Sequence, residues 1–425
     1  LIPAARSIKK RNVQPDYTNI CIMGTYVCYM VGDLCHLPEM TAYARERLRN
    51  FYGYTLRNGG FAEYNSPTYT LVSMDELLRM KQTILHPDDR RMIEDLYTMT
   101  WDLIARHFHH PSGQWCGPHL RAYNDLADAD FYRLLYNASG GRIELPGDYL
   151  RIPNVIKPHC IPESVMPKFS QPVLPRLEID TFVSADPLRK EIVGKLYASP
   201  AFALASVNQS YMWNQTRPLI AHWGTPEKPS CLRVRFLHDK HDFSAVNIAS
   251  VQDSTSVLAI FNIAVDGGDT HPILDPIQNA SIRASDLRLR IEAGGNLDGL
   301  QFTIPDRYGD AAGFDTPTVE AAFQIPYAGW DNYTGHWEKW ADEKHCGIDY
   351  VLYSGDARTF RLDEMQEAVV GLYLAFSDKS GDELALPNVT SERQGDYLIL
   401  STKQMTIKAP AKPDKESRIK NDISH

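Results

Sequence analysis

Two short stretches hold most of the residues able to do chemistry. The first reads Glu63-Tyr64-Asn65-Ser66-Pro67-Thr68-Tyr69. The second, HHPSGQWCGPHLRAYND, runs from His109 to Asp125 and contains His109, His110, Gln114, Trp115, His119, Arg121 and Tyr123. An Arg offers a planar fork to a carboxylate, and aromatic faces stack on sugar rings. An Asn amide can neutralise a carboxylate, while Tyr and His exchange protons near neutral pH. Together these types suit a saccharide that bears a carboxylate. Tyr64, His110, Gln114 and Trp115 then read as substrate-binding. Glu63 opens a second reading. With Asp125 or Asp75 as partner it forms the carboxylate pair of a glycoside hydrolase, which needs a separation of about 5–10 Å. The plainer alternative is a structured turn. Ser66 is a natural N-cap with Pro67 at the first helical position, and each His can be a satisfied surface residue.

Three later stretches carry weaker signals. Met212–Gly224, MWNQTRPLIAHWG, brings Trp213, Asn214, Arg217, His222 and Trp223 close in sequence. It reads either as a second wall of a binding cleft or as a strand with a glycosylation acceptor at Asn214. Asp266-Gly267-Gly268-Asp269-Thr270-His271 has hard oxygen ligands that would suit a divalent cation such as calcium, but a Gly-Asp turn between strands is commoner. No other residue pattern calls for a cofactor. His336 and His345 flank a Trp- and charge-rich run that reads as a helix-like solvated face.

The elements that position these stretches fall into two styles. Residues 19–135 read as helices. Apolar residues are dense from Asn19 to Gly32. They recur at helical spacing from Glu39 to Leu56 as Met40, Tyr43, Ala44, Leu48, Phe51, Tyr52 and Leu56. Asn58-Gly59-Gly60 suits a helix C-cap. Ser73-Met74-Asp75-Glu76 fits a capping box before a helix over about 74–85. His86-Pro87-Asp88-Asp89 starts a helix striped by Met92, Ile93, Leu96, Met99, Leu103 and Ile104. Both polar stretches follow the C-terminal end of a predicted helix, so in a stack of antiparallel helix pairs they emerge at one end. After residue 145, Gly and Pro punctuate short runs with period-two alternation, as in Leu232, Val234 and Phe236 between arginines. Leu287, Leu289 and Ile291 alternate likewise. Many short strands with turns between them predict a large antiparallel β-sandwich over 146–410. The charged, Pro-containing end, 411–425, reads as a flexible tail.

The totals narrow the class. A chain of 425 residues exceeds one ordinary domain, and 43% hydrophobic content supports large cores. The net charge is −9. That balance speaks against non-specific binding of nucleic acid or of an anionic membrane surface. No apolar run is long enough for a membrane helix. Cys21, Cys28 and Cys35 repeat every seven residues, share a helix face and cannot bridge one another. Asn-X-Ser/Thr acceptors at Asn137, Asn208, Asn214, Asn279, Asn332 and Asn388 point to a secreted glycoprotein.

A helical layer followed by an antiparallel sandwich, with EYNSPTY and GPHLRAY in its loops, resembles the two-domain polysaccharide lyases of the chondroitin AC, alginate and heparinase II/III type. The resemblance is one of architecture and covers most of the chain. It implies an N-terminal (α/α) toroid-like domain over 1–145 and cleavage of uronic-acid-containing glycans by β-elimination. It also implies roles. Asn65 and Arg121 neutralise the carboxylate, and Tyr123, Tyr69 or His119 serve as base and acid. A full toroid of that kind has more helices than are read here. A third reading is a non-catalytic carbohydrate-binding protein that uses Trp115, Trp213, Trp223, Trp330, Trp337 and Trp340. The implied partner in every reading is a polysaccharide or oligosaccharide.

Overall fold

The computed structural model describes residues 1–147, 158–187, 189–268, 277–307, 310–331, 333–379 and 384–424. Asp269, His271 and Asn332 lie outside the described residues. The chain divides into two compact units. One holds Leu1–His110, His119–Val173 and Asp180–Ser184; the other holds Pro111–Pro118, Leu174–Ile179 and Ala185–His425.

The first unit is helical. Its elements are α1 (Ile2–Arg11), α2 (Thr18–Leu34), α3 (Pro38–Asn58), α4 (Tyr69–Thr83), α5 (Pro87–His107), α6 (Ala129–Ala138) and the short α7 (Met166–Ser170). Pro38 and Pro87 sit in the first turns of α3 and α5, where the lost N–H has no partner to miss. Asp88 and Asp89 add favourable charge at the N-terminus of α5. α3 stops at Gly59, whose φ of 69° is left-handed, and the N–H of Gly60 returns to the Thr55 carbonyl at 3.1 Å. Packed faces of α3, α4 and α5 bury Leu48, Phe51, Leu77, Met80, Ile93, Leu96, Trp101 and Ile104. Replacing a ring such as Trp101 by Ala costs about 3–5 kcal/mol.

Three expectations change here. α4 begins at Tyr69, not at 74, so Ser73 lies buried within the helix and caps nothing. Ser66 does that work, its Oγ accepting from the Tyr69 N–H at 2.9 Å. α1 also precedes the first helix read from the sequence. The helical unit extends past residue 145 because α7 lays Phe169 against Trp101 at 6.3 Å and against Phe108 at 5.6 Å.

The second unit is an antiparallel β-sandwich. One sheet has the order His336–Ala341, His345–Arg361, Ser281–Gly295, Pro229–His238, Leu219–Gly224, Phe202–Val207, Ile192–Ala198. The facing sheet runs Gln301–Thr303, Ala312–Asp315, Val319–Trp330, Ala368–Asp378, Ser256–Ile263, Val246–Asp253, Gln209–Tyr211. Period-two alternation sends Leu232, Val234, Phe236, Leu287, Leu289 and Ile291 into a core shared with Val257, Phe261, Leu372 and Leu374. The arginines between them line the opposite face and pair with acids. Asp349, fully buried, takes Arg288 and Arg290 at 2.8 Å each, and Glu292 takes Arg235 at 2.8 Å. A smaller sheet, Thr390–Gln394, Tyr397–Ser401 and Thr406–Pro410, covers Leu258, Ile260 and Tyr373 with Leu398, Leu400 and Ile407.

The run between His336 and His345 is a β-hairpin, not a helix. Trp337 stacks edge-on against Tyr350 at 5.3 Å, and the Arg290 guanidinium lies 3.6 Å from the Trp340 ring. Strand alternation puts those two rings to use where a helix would splay them. The C-terminal stretch forms a short helix, α8 (Glu416–Asn421), with Ile419 and Ile423 buried and Ser424 paired with Lys408. Apolar residues at 411, 419 and 423, set among the charges, account for its ordering where the composition reads as a tail.

Candidate active site

Within the helical unit the first polar stretch meets the His119–Asp125 end of the second. The Leu120 N–H donates to the Tyr64 carbonyl at 3.1 Å, and the Ser66 hydroxyl donates to the Arg121 carbonyl at 2.9 Å. His119 Nδ1 lies 2.7 Å from the Asn65 carbonyl, so that nitrogen carries the proton and a neutral ring leaves Nε2 unprotonated. Two residues of the seam are left-handed, Asn65 at φ 43° and Arg121 at φ 67°. Asn tolerates that region, whereas Arg stores roughly 1–3 kcal/mol there, a pattern concentrated at functional sites.

The outer face of the cluster is built around Arg121. One nitrogen of its fork reaches Glu63 at 3.4 Å and another donates to the Tyr69 hydroxyl at 3.1 Å. The guanidinium also lies 4.6 Å from the centre of the Tyr69 ring. The Tyr69 and Tyr123 hydroxyls are 2.6 Å apart. Tyr123 is the exposed member at 52%, while Tyr69 and Arg121 are half-buried. Burial and the Tyr123 hydrogen bond raise the Tyr69 pKa against the pull of Arg121, so the Tyr69 hydroxyl holds its proton at rest.

Glu63 has a second attachment. Its Oε2 accepts from the Asn19 N–H in the first turn of α2 at 3.2 Å, and its own N–H reaches Thr18 Oγ1 at 3.4 Å. α2 has no side-chain cap of its own, so Glu63 caps it from 44 residues away. Burial raises the Glu63 carboxyl, opposed by the Asn19 N–H and by Arg121. Asp75 is engaged elsewhere, 2.8 Å from His159 Nε2.

Behind Asn65 lies a pair that the sequence did not single out. Asn65 Nδ2 is 3.0 Å from His107 Nδ1, and His107 Nε2 is 3.0 Å from Asp180 Oδ2. Arg106 also donates to Asp180 and bonds Asp102 at 3.1 Å. Burial alone would raise the Asp180 carboxyl, but His107 and Arg106 outweigh it and hold it at about 2. The Asp180–Ser184 segment clamps the same region. Phe182 stacks on Tyr64 at 4.4 Å, and the Ser184 N–H donates to Asn58 at the end of α3. His107 carries a signal as a helix-terminal His, whereas Asp180 lies 73 residues on and carries none.

The remaining candidates divide by exposure. His110 is exposed and packs edge-on against Phe108 at 6.1 Å. Tyr64 is buried under Phe182. Gln114, Trp115, Trp213, Arg217 and His222 belong to the sandwich unit and are buried. Gln114 donates to the Ser112 carbonyl at 3.2 Å, and Arg217 to the Asn214 carbonyl at 2.7 Å. Trp223 and Trp330 lie in the core between the sheets, so they supply no outer stacking surface. Asp266 caps α8, accepting from the Glu416 N–H at 2.8 Å.

A family model described as a domain of unknown function (DUF8769) matches residues 4–131, which include both polar stretches. A comparison with curated proteins gives no match. Among solved structures the chain is similar to a mutant of the heparan sulfate lyase HepC from Pedobacter heparinus. The TM-score is 0.35 and the identity 11%, over 92% of this chain and 65% of that one. The chain thus spans less than two thirds of that lyase's length. At that score and identity, two chains need not share a site.

Proposed function

We propose that this protein is a polysaccharide lyase that cleaves uronic-acid-containing glycans by β-elimination, with Arg121, Tyr69 and Tyr123 as the groups that meet the substrate. The observation that carries the proposal is the Arg121 fork held against Tyr69, whose hydroxyl shares a 2.6 Å hydrogen bond with the exposed Tyr123. Arg121 pairs with the uronate carboxylate and makes the neighbouring C–H acidic. One hydroxyl of the tyrosine pair gives its proton to the glycosidic oxygen, and the phenolate so formed, stabilised by Arg121, takes the proton from that carbon. The C–H electrons form the new C=C bond as the glycosidic C–O bond breaks, so the pair ends with the same number of protons as it began. Asn65 and His119 are 0% and 2% exposed, and they act in this reading by holding the rim.

A helical unit followed by an antiparallel sandwich supports the reading, since such lyases share that order. A secreted setting fits acceptors at the exposed Asn214, Asn279 and Asn388. Asn208 fits it less well, because its amide is tied to Glu191 and Val193. One observation favours a second reading. Glu63 is buried with a raised carboxyl, the state a glycosidase acid needs, although one of its oxygens is committed to α2. Digestion of a uronate panel separates the two. A lyase yields an ultraviolet-absorbing unsaturated end with each cut, whereas a hydrolase yields reducing ends alone. Absence of the chromophore across the panel overturns the lyase proposal.

A further inference from the structure

We propose that His107 and Asp180 are positioning residues of this site, which fix the orientation of the Asn65 amide and through Asn65 hold the loop that carries Arg121. The proposal rests on the lyase reading for its kinetic arm alone.

For a neutral imidazole at His107, the chain of donors and acceptors has one consistent solution. Arg106 can only donate, and it occupies one oxygen of Asp180. The other oxygen lies 3.0 Å from His107 Nε2, and an ionised carboxylate can only accept, so Nε2 carries the proton. A neutral ring then presents an unprotonated Nδ1 to Asn65 at 3.0 Å. The amide nitrogen, not the oxygen, must face it. Asn65 is thus held at its far end while its backbone sits at φ 43°. From Asn65 and its neighbour two further bonds run to the Arg121 loop. The Asn65 carbonyl accepts from His119 Nδ1 at 2.7 Å, and the Ser66 hydroxyl donates to the Arg121 carbonyl at 2.9 Å. Asn65, His107 and His119 are all at least 98% buried, so solvent cannot substitute for a lost partner.

Asp180→Asn tests this because Arg106 dictates how the new amide must sit. Its oxygen stays on Arg106 and its NH₂ falls on His107 Nε2. The ring must then move its proton to Nδ1, and Asn65 must turn its oxygen inward. Nitrogen–proton correlation spectra of the full chain, with the His107 signal assigned by its loss in His107→Gln, should show Nε2–H in the wild type and Nδ1–H in D180N. On a uronate substrate kcat should fall on the order of 10²-fold, the scale of a displacement near 1 Å, with KM little changed. An Nδ1–H ring in the wild type, or a ring unchanged in folded D180N, overturns the proposal. Should D180N not fold, the wild-type spectrum still decides. Inverted tautomers in a protein inactive on every uronate would sink the lyase reading and leave the positioning pair standing.

Discussion

The Asp180 carboxyl should make the helical unit acid-sensitive by an amount the structure sets. Its side chain is 13% exposed, and its pKa falls from an ordinary 3.8 to about 2. At 1.36 kcal/mol per unit that drop contributes on the order of 2 kcal/mol of stability. The folded value is the lower one. The contribution is therefore complete above the unfolded pKa near 4, about half present near pH 3, and gone once pH falls through about 2. D180N removes it and keeps the volume. Hydrogen exchange of α5 amides in a urea series reads the helical unit apart from the sandwich. The gap between wild type and D180N should be roughly 2–3 kcal/mol at pH 7 and should close steadily on acidification. A gap that stays constant from neutral pH down to about pH 2.5 would refute the reasoning, because the lost interaction would then not be a charge.

Three further outcomes follow from the same geometry. Arg121→Gly removes the guanidinium but suits a φ of 67°, so thermal unfolding should shift by only a few degrees while turnover drops by at least about 10²-fold. Tyr123→Phe removes an exposed hydroxyl, so the melting temperature should hold while turnover falls, the two being read by calorimetry and product absorbance. Glu63→Ala leaves the Asn19 N–H uncapped and should cost about 1 kcal/mol in urea unfolding, whereas Glu63→Gln can still accept that bond and should remain stable and active. An inactive but stable Glu63→Gln would shift the case to the hydrolase.

What the sequence shows of this molecule is what short-range physics controls. Helical spacing places α2, α3 and α5, and Gly59 ends α3 because a left-handed C-cap is a local event. Alternation in Leu232–Phe236 and Leu287–Ile291 marks the sandwich because a sheet with one packed face imposes period two. The clustering of Glu63, Asn65 and Tyr69 with His119, Arg121 and Tyr123 follows from both loops leaving the same ends of neighbouring helices. Competing local signals explain the errors. Ser73 has the composition of a capping box, but Ser66 and Pro67 lie earlier and start the helix first. His336–Ala341 has the charge of a solvated helix, and only its pairing with His345–Arg361 makes it a strand. Asp180 is illegible for another reason. Its partners, Arg106 and His107, sit at the far end of α5, and nothing near Asp180 in sequence indicates a buried acid.

The most direct test is product chemistry. Full-length protein should be incubated with heparan-, chondroitin- and alginate-type polyuronates while ultraviolet absorbance and reducing ends are followed together. The account predicts that the two rise in step on at least one polymer, and that both vanish in Arg121→Gly. Reducing ends without the chromophore, or a chromophore that survives the loss of Arg121, would contradict it.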